Sequence, residues 1–235
     1  MSKGINSAFN ALTDQFIKQH FITAIRLFGY SAGAAPFDLF YHYNKSPKVV
    51  TLDSFSLSND ELPLFGYWVP QGDSCEIEAH PTLRKYVFTP DFSGCSILVD
   101  QVSSSKYRVY HVQGGSNYLQ SEYLNSSHSH GLGLAGAMTF DDYGTSSTPR
   151  GFAFLKYENN RWWIYYQRQN GVGLSYRNNG FIPIGPQTVL GAGKIPIADL
   201  NSEIPATGRT HNSIHLPNAR NLRIQKSMVP NDVIF

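Results

Sequence analysis

The sequence predicts an α+β fold that is mainly β, a β-sandwich of mostly antiparallel strands with flanking helices. Aromatic residues are frequent at 14%, whereas charged residues are scarce at 15%. The 20 glycines and 13 prolines separate short apolar runs, a pattern typical of a loop-rich β protein rather than a helical bundle. Because no internal repeat or low-complexity linker interrupts the chain, we expect a single domain over residues 1–235.

The first segment predicts an amphipathic N-terminal helix over about residues 5–28. Apolar residues recur there at steps of three and four, beginning with Ile5, Phe9, Leu12 and Phe16. The stripe continues through Phe21 to Phe28 and stops near Gly29, which favours a helix end. Such a stripe usually packs on a sheet, and the scarcity of Lys and Arg argues against a membrane-binding helix.

The strands of the core are expected at about residues 45–200. Short apolar or aromatic runs between turn residues predict them, and the clearest are 48–52, 64–69, 86–88, 97–99, 106–111, 151–157 and 161–167. Glu158-Asn159-Asn160 predicts a hairpin turn between the last two runs. Residues 116–135 are polar and glycine-rich, which indicates a loop, and about 201–235 form a C-terminal extension of mixed composition.

The residues that carry chemistry lie in the middle of the chain, around Cys95. Ser93-Gly94 precedes this cysteine and an apolar run follows it, so the sequence places the thiol at the start of a strand. A second strand ends at His111, and residues 102–105 form the turn between the two strands. In a hairpin of this length the start of one strand lies near the end of the other, so the thiol and the imidazole can meet.

A thiol and an imidazole in contact suit nucleophilic catalysis. The thiol is a weak nucleophile until it loses its proton, and an adjacent imidazole can accept that proton. Thr89 is the nearest candidate for orienting His111, through either its hydroxyl or its carbonyl, whose direction Pro90 restricts. Backbone N–H groups near Ser93 and Gly94 are candidates for binding an anionic tetrahedral intermediate.

The segment Thr-x-x-Phe-Ser-Gly-Cys at residues 89–95, followed by a strand and by a second strand ending in His, resembles the catalytic segment of the toxin glutamine deamidases. This family includes the cytotoxic necrotizing factors and the Burkholderia lethal factor, and the resemblance covers about residues 85–170. It implies that Cys95 is the nucleophile, His111 the general base and Thr89 the orienting group. Phe92 stands where a Leu is usual in the family.

The same resemblance implies a function. The chain would be a single catalytic domain of a bacterial toxin or effector, a virulence hydrolase that is secreted or translocated into the host cell cytosol. It would deamidate a glutamine side chain of a host protein, such as a small GTPase or a translation factor, through a thioester. No metal or organic cofactor is expected.

Three alternatives remain open at this stage. The same Cys–His pair serves a transglutaminase if an amine replaces water. A non-catalytic carbohydrate- or protein-binding β-sandwich has a similar aromatic-rich composition and would leave Cys95 as an inert buried thiol. A disulfide between Cys75 and Cys95, the two cysteines of the chain, would remove the nucleophile.

Other classes of function are disfavoured by the composition. The net charge is +2 and no basic stripe is present, so no nucleic acid partner is expected. No apolar run is long enough to span a bilayer, and the first residues do not form a signal peptide, so stable membrane insertion is not expected. His128 and His130 lack a third ligand for a metal. We expect a monomer.

Overall fold

The computed structural model describes residues 4–41, 49–56, 61–170, 173–177, 180–184 and 187–203. The α+β, mainly β class is confirmed: two sheets face each other across a shared core, and short helices cover their outer faces. The predicted C-terminal extension at about 201–235 lies almost entirely outside the described residues.

The elements are numbered in chain order. The strands are β1 (Phe21–Thr23), β2 (Gly33–Tyr41), β3 (Val49–Ser54), β4 (Leu64–Trp68), β5 (Ser74–Glu78), β6 (Tyr86–Phe88), β7 (Phe92–Ser93), β8 (Ser96–Ser103), β9 (Lys106–Val112), β10 (Gly133–Met138), β11 (Arg150–Glu158), β12 (Arg161–Asn170), β13 (Gly173–Arg177), β14 (Gly180–Ile184) and β15 (Thr188–Pro196). The helices are α1 (Ile5–Ala11), α2 (Thr13–Gln19), α3 (Ser116–Tyr118), α4 (Phe140–Tyr143) and α5 (Leu200–Glu203), with a 3₁₀ turn at Ile25–Leu27 and a π-helical turn at Leu119–Leu124.

The larger of the two facing sheets is mixed and the smaller is antiparallel, and β13 and β14 form a separate two-stranded sheet. The larger has the order β1-β3-β2-β4-β6-β11-β12-β15, with β7 paired to β11, and its β1–β3 and β4–β6 pairs are parallel. The smaller has the order β10-β8-β9-β5. Both predicted hairpins, β8–β9 and β11–β12, are confirmed. Asn159 and Asn160 form the second turn with φ of 52° and 59°, the left-handed pair that a tight hairpin requires.

The main core lies between the two sheets. Alternate residues of β8 and β9, such as Ile97, Val99 and Val109, point inward because side chains alternate along a strand. They pack against Leu155 and Ile164 of the larger sheet, and all five side chains are buried. Each fully buried side chain of this size contributes about 1.5–3 kcal/mol to folding. Cys95 belongs to this same core.

The N-terminal segment differs from the predicted single helix over about residues 5–28. Helix α1 ends at Ala11, α2 ends at Gln19, and the chain then becomes β1. Leu12, at the break, is 58% exposed with φ −126° and ψ 42°, so the apolar stripe does not continue through it. The Gln167 side chain donates to the Ile17 carbonyl and accepts from the Ile22 N–H. These bonds favour the extended backbone that follows α2. Tertiary contacts therefore override the helical periodicity.

The polar segment after β9 is also more ordered than predicted. Residues 116–124 form α3 and the π-helical turn instead of a loop. Leu119 and Tyr123, four residues apart, are buried against Leu98 and Tyr110 on the outer face of the smaller sheet. Packing of these two side chains fixes a turn that the polar composition does not suggest.

Candidate functional site

The fold brings the three residues Thr89, Cys95 and His111 to one place between the two sheets. Thr89 follows β6, Cys95 immediately precedes β8, and His111 lies on β9. In the hairpin Ile97 pairs with His111, so Cys95, two residues earlier on the same face, is diagonal to the histidine. The three residues are 1%, 3% and 1% exposed, so the site is closed to solvent in this state.

His111 is oriented by its hydroxyl neighbour and by an aromatic ring. The Thr89 hydroxyl is hydrogen-bonded to Nδ1 of His111, so the hydroxyl, and not the carbonyl, is the group in contact. The Phe92 ring stacks on the imidazole with centroids 4.5 Å apart and planes 1° apart. Nε2 of His111 has no hydrogen-bond partner among the described residues. When Thr89 donates to the Pro90 carbonyl at 3.4 Å, it accepts from Nδ1–H, and the Nε2 lone pair is then free.

Burial keeps both members of the pair neutral at rest. Burial lowers the pKa of His111 to about 3 and raises the pKa of Cys95 to about 11. The N–H groups of Gly114 and Ser93 face the sulfur and lower its pKa, though less than burial raises it. Since Nε2 has no partner in the described part of the chain, the expected Cys95–His111 hydrogen bond is not made in this state. Apo sites often acquire such bonds only when substrate binds.

Tyr143 of α4 fixes the backbone on both sides of the peptide bond before Cys95. Its hydroxyl accepts from the Gly94 N–H at 2.8 Å and donates to the Cys95 carbonyl at 2.9 Å. The Gly94 N–H, one of the predicted oxyanion donors, is therefore bound to Tyr143 in this structure. Gly94 instead supplies a left-handed turn with φ +103°. The backbone at Gly114 lies close to the backbone at Gly94. An added Cβ at Gly114 would lie 2.9 Å from the Gly94 carbonyl oxygen, so this approach requires a glycine.

A group of three polar side chains lies beside Cys95, and none of them belongs to the predicted site. We call this group the amide cluster: Gln71, Gln113 and Glu122. Nε2 of Gln71 lies 3.7 Å from Cys95 Sγ and 3.4 Å from Oε1 of Gln113. Glu122 accepts from both the backbone N–H and Nε2 of Gln113 at 2.8 Å. Pro70-Gln71-Gly72-Asp73 is recognisable as a turn, but nothing in the sequence reveals that this turn pairs with His111.

The disulfide alternative is wrong, because Cys75 and Cys95 are both free. Cys75 lies on β5 opposite Val109 and is half-buried. Burial and the nearby Asp73 and Glu76 carboxylates raise its pKa to about 11. The pKa of Cys75 is thus raised as far as that of Cys95, but its sulfur donates to the Glu76 carbonyl at 3.5 Å, so Cys75 serves as an internal control for Cys95.

Other candidate sites are weaker. Within the described ranges, no group of three or more His, Cys, Asp and Glu side chains is arranged to hold a metal ion. His130 contacts the buried Asp100. A cleft of about 500 Å³ lies elsewhere, between the end of α2 and the start of β15, and is lined by residues 18–21 and 187–189. Its lining includes Lys18, His20 and Thr188, and it does not include Cys95 or His111.

No helix in the part of the chain that the structure describes has both the length and the apolar character needed to cross a bilayer. This finding concerns the helices alone.

Comparison with known proteins corrects the resemblance to the toxin glutamine deamidases. A family model described as the Mcf1 activator-binding domain matches residues 73–184, just under half of the chain. This model is not one of a deamidase family, so the assignment of the chain to that family is wrong. No curated protein matches the sequence. The matched segment includes Thr89, Cys95 and His111 and therefore spans the site. The chain is thus similar over this segment to the Mcf1 activator-binding domain.

Proposed function

We propose that the chain is a hydrolase that deamidates a glutamine side chain of a protein through a thioester on Cys95. The observation that carries the proposal is the Thr89–His111 hydrogen bond beside Cys95 in a closed core. This bond fixes the imidazole with one nitrogen oriented by the protein and the other, Nε2, without a partner among the described residues. A nucleophile, a base and a group that orients the base are the minimal parts of this chemistry.

The proposed reaction has two halves. Cys95 Sγ attacks the amide carbon and its proton passes to Nε2 of His111, so a carbon–sulfur bond and an oxyanion form. The carbon–nitrogen bond then breaks, and the leaving group takes the proton from His111 and departs as ammonia. Water attacks the thioester, His111 accepts the water proton, and the thiolate leaves and is reprotonated. The net change is amide plus water to carboxylic acid plus ammonia.

Because thiol and imidazole are both neutral at rest, proton transfer accompanies attack and does not precede it. The base has a low proton affinity in the closed site, so substrate binding must bring Nε2 and Sγ together for transfer to occur. A transglutaminase remains the nearest variant of the proposal: an amine resolves the same thioester if it reaches the site in place of water.

A second function, binding of a protein partner, is supported by the matched family model. The matched domain of Mcf1 is described as activator-binding. We propose that this chain likewise binds a protein through residues 73–184, in a toxin-related role. A closed Cys95 site fits an enzyme whose access depends on such a partner. Action on a host protein after delivery to the host cytosol belongs to the same proposal.

The test uses carbobenzoxy-glutaminyl-glycine as a small glutaminyl probe and follows ammonia release. We expect release by the wild type, its loss in Cys95→Ser and its retention in Cys75→Ser, because Ser is a far weaker nucleophile in this setting. A parallel incubation with eukaryotic cytosolic extract, read by mass spectrometry for glutamine-to-glutamate conversion, searches for a protein substrate. Equal activity in wild type and Cys95→Ser would contradict the thioester mechanism.

A further inference from the structure

The amide cluster determines which atoms of Gln71 face Cys95. Glu122 is a carboxylate, and an ionised carboxylate only accepts hydrogen bonds, so Gln113 must turn its NH₂ group toward it. The amide oxygen of Gln113 then faces Gln71, and this oxygen requires a donor. Gln71 must therefore present its own NH₂ group to Gln113 and to the sulfur. The orientation of both amides, usually ambiguous for glutamine, follows from the carboxylate.

The backbone holds Gln71 in this place. Residues 70–73 form a turn closed by the Asp73 N–H on the Pro70 carbonyl at 3.2 Å, with Gly72 at φ +79°. The Gly72 N–H donates to the His111 carbonyl at 2.8 Å, and the His111 N–H donates to the Asp73 carbonyl at 3.0 Å. The turn that carries Gln71 is thus bonded directly to the backbone of His111.

The distances suit a donor to an oxyanion. In a tetrahedral intermediate the oxygen is attached to the carbon that is bonded to sulfur, so it lies about 3 Å from the sulfur and needs donors at about 2.7–3.1 Å. Nε2 of Gln71 lies 3.7 Å from Sγ, and the Gly114 N–H also faces the sulfur. Together with the Ser93 N–H, three donors therefore converge on the space beside the thiol.

We propose that Gln71 is a further catalytic residue, which donates its side-chain N–H together with the Gly114 N–H to the oxyanion formed at Cys95. Glu122 is then a positioning residue that acts through Gln113. This assignment rests on the proposed thioester chemistry and deepens it, because it names the groups that stabilise the charged intermediate. Gln71 lies outside the residues matched by the family model, at 73–184.

The experiment compares two reactions of the same thiol in a Cys75→Ser background. Acylation by p-nitrophenyl acetate forms an oxyanion, whereas alkylation by iodoacetamide displaces iodide and forms none. Gln71→Met keeps the length of the side chain and removes the donor. We expect acylation to slow by about 100-fold and alkylation to change by no more than about threefold, since only the first reaction uses an oxyanion hole.

Glu122→Gln supplies the test of the positioning role. It keeps the size of the side chain but no longer dictates the orientation of Gln113, so we expect the ratio of acylation to alkylation to fall by about tenfold. Glu122→Asp, which keeps the carboxylate, should restore part of that ratio. A purely structural role would change both reactions together. Gln120→Met, on the exposed side of the π-helical turn, is the matched control.

The outcomes separate the two proposals. If the wild type forms no acyl-enzyme at Cys95, the proposed function is overturned and Gln71 has no oxyanion to bind. If the wild type forms an acyl-enzyme and Gln71→Met alters both reactions equally or neither, Gln71 is not an oxyanion donor and the thioester chemistry stands. Intact-mass measurement on a Cys95→Ser sample identifies any label at other residues.

Discussion

A histidine and a tyrosine lie at each of the two faces of the β8–β9 hairpin. The two faces differ in the group that orients the histidine. On the inner face, His111 is hydrogen-bonded to the neutral hydroxyl of Thr89. On the outer face, Nδ1 of His130 lies 2.5 Å from Oδ2 of Asp100, a carboxylate with no exposed surface. Tyr123 also donates to Asp100, at 2.7 Å.

The difference teaches what each face is suited to do. A buried carboxylate that receives two donors ties the π-helical turn and the loop of His130 to the sheet, which is a structural task. A carboxylate beside His111 would favour the protonated imidazole and so occupy the base before any reaction. A hydroxyl orients the ring without adding charge. The inner histidine is therefore neutral, and within the described part of the chain its Nε2 has no hydrogen-bond partner, which suits the proton acceptor of the proposed reaction.

The largest change in acylation rate should come from replacing each of the two histidines, in turn, with glutamine, which does not titrate. In His111→Gln, acylation of Cys95 by p-nitrophenyl acetate should fall by about 10³-fold, because the variant lacks the proposed general base. In His130→Gln the acylation rate should stay near that of the wild type while the melting temperature falls. Similar losses of rate in both variants would show that the two faces are not functionally distinct.

The two buried tyrosines sharpen the comparison further. Tyr123→Phe removes a donor to the buried Asp100 and should lower the free energy of unfolding by about 2–3 kcal/mol. Tyr143→Phe leaves the Gly94 N–H and the Cys95 carbonyl without that hydroxyl and should cost about 1–2 kcal/mol. Urea denaturation measures both. Only Tyr143→Phe should also slow acylation, and an equal slowing in Tyr123→Phe would contradict this division.

The pH dependence of stability should reveal the inner histidine. Burial lowers its pKa from 6.5 to about 3, so folding favours the neutral form. Its contribution to the free energy of unfolding is complete above pH 6.5 and is lost as the pH falls. The loss amounts to about 2 kcal/mol at pH 5. The measurement is the change in unfolding free energy between pH 7 and pH 5. His111→Gln should show a smaller change than the wild type, and an identical change would place the titration elsewhere.

The smallest effect concerns Thr89. Thr89→Val keeps the shape and removes the hydroxyl, so kcat toward the glutaminyl probe should fall about tenfold with KM nearly constant, the value of one hydrogen bond. Thr89→Ser should recover most of the rate. Pro90→Ala should have little effect, because the contact to His111 is the hydroxyl and not the carbonyl. A strong loss in Pro90→Ala alone would reverse that assignment.

The Cys–His hairpin could be predicted from the sequence because its signals are local. The alternating apolar residues of β8 and β9, the small residues at 102–105 and the position of Cys95 after Gly94 fix the register to within two residues. Thr89 can also be predicted as the orienting residue, because Pro90 restricts the backbone conformation of the residue before it. Even so, the pairing of Ile97 with His111 places Cys95 diagonal to His111 and not directly opposite it, a shift that turn composition does not specify.

The amide cluster and the end of the first helix could not be predicted, because both depend on distant residues. Gln71 is 24 residues from Cys95, and its position follows from a turn that pairs with His111 only after the sheet has formed. The strand at Phe21–Thr23 follows from parallel pairing with β3 and from bonds to Gln167. Helical periodicity in the sequence is a local signal and does not reveal such distant partners.

The anchoring of residues 10–22 has a consequence for the order of events during synthesis. Lys156, Gln167 and Gln169 bind the backbone of residues 10, 17, 20 and 22 across separations of 146 to 150 residues. These partners leave the ribosome long after the segment that they hold. The apolar cluster that covers α1 and α2 is therefore incomplete until β11 and β12 emerge, and long-range closure of this kind slows folding. We therefore expect chaperones to bind this segment of the nascent chain in the interval between synthesis of α2 and synthesis of β12.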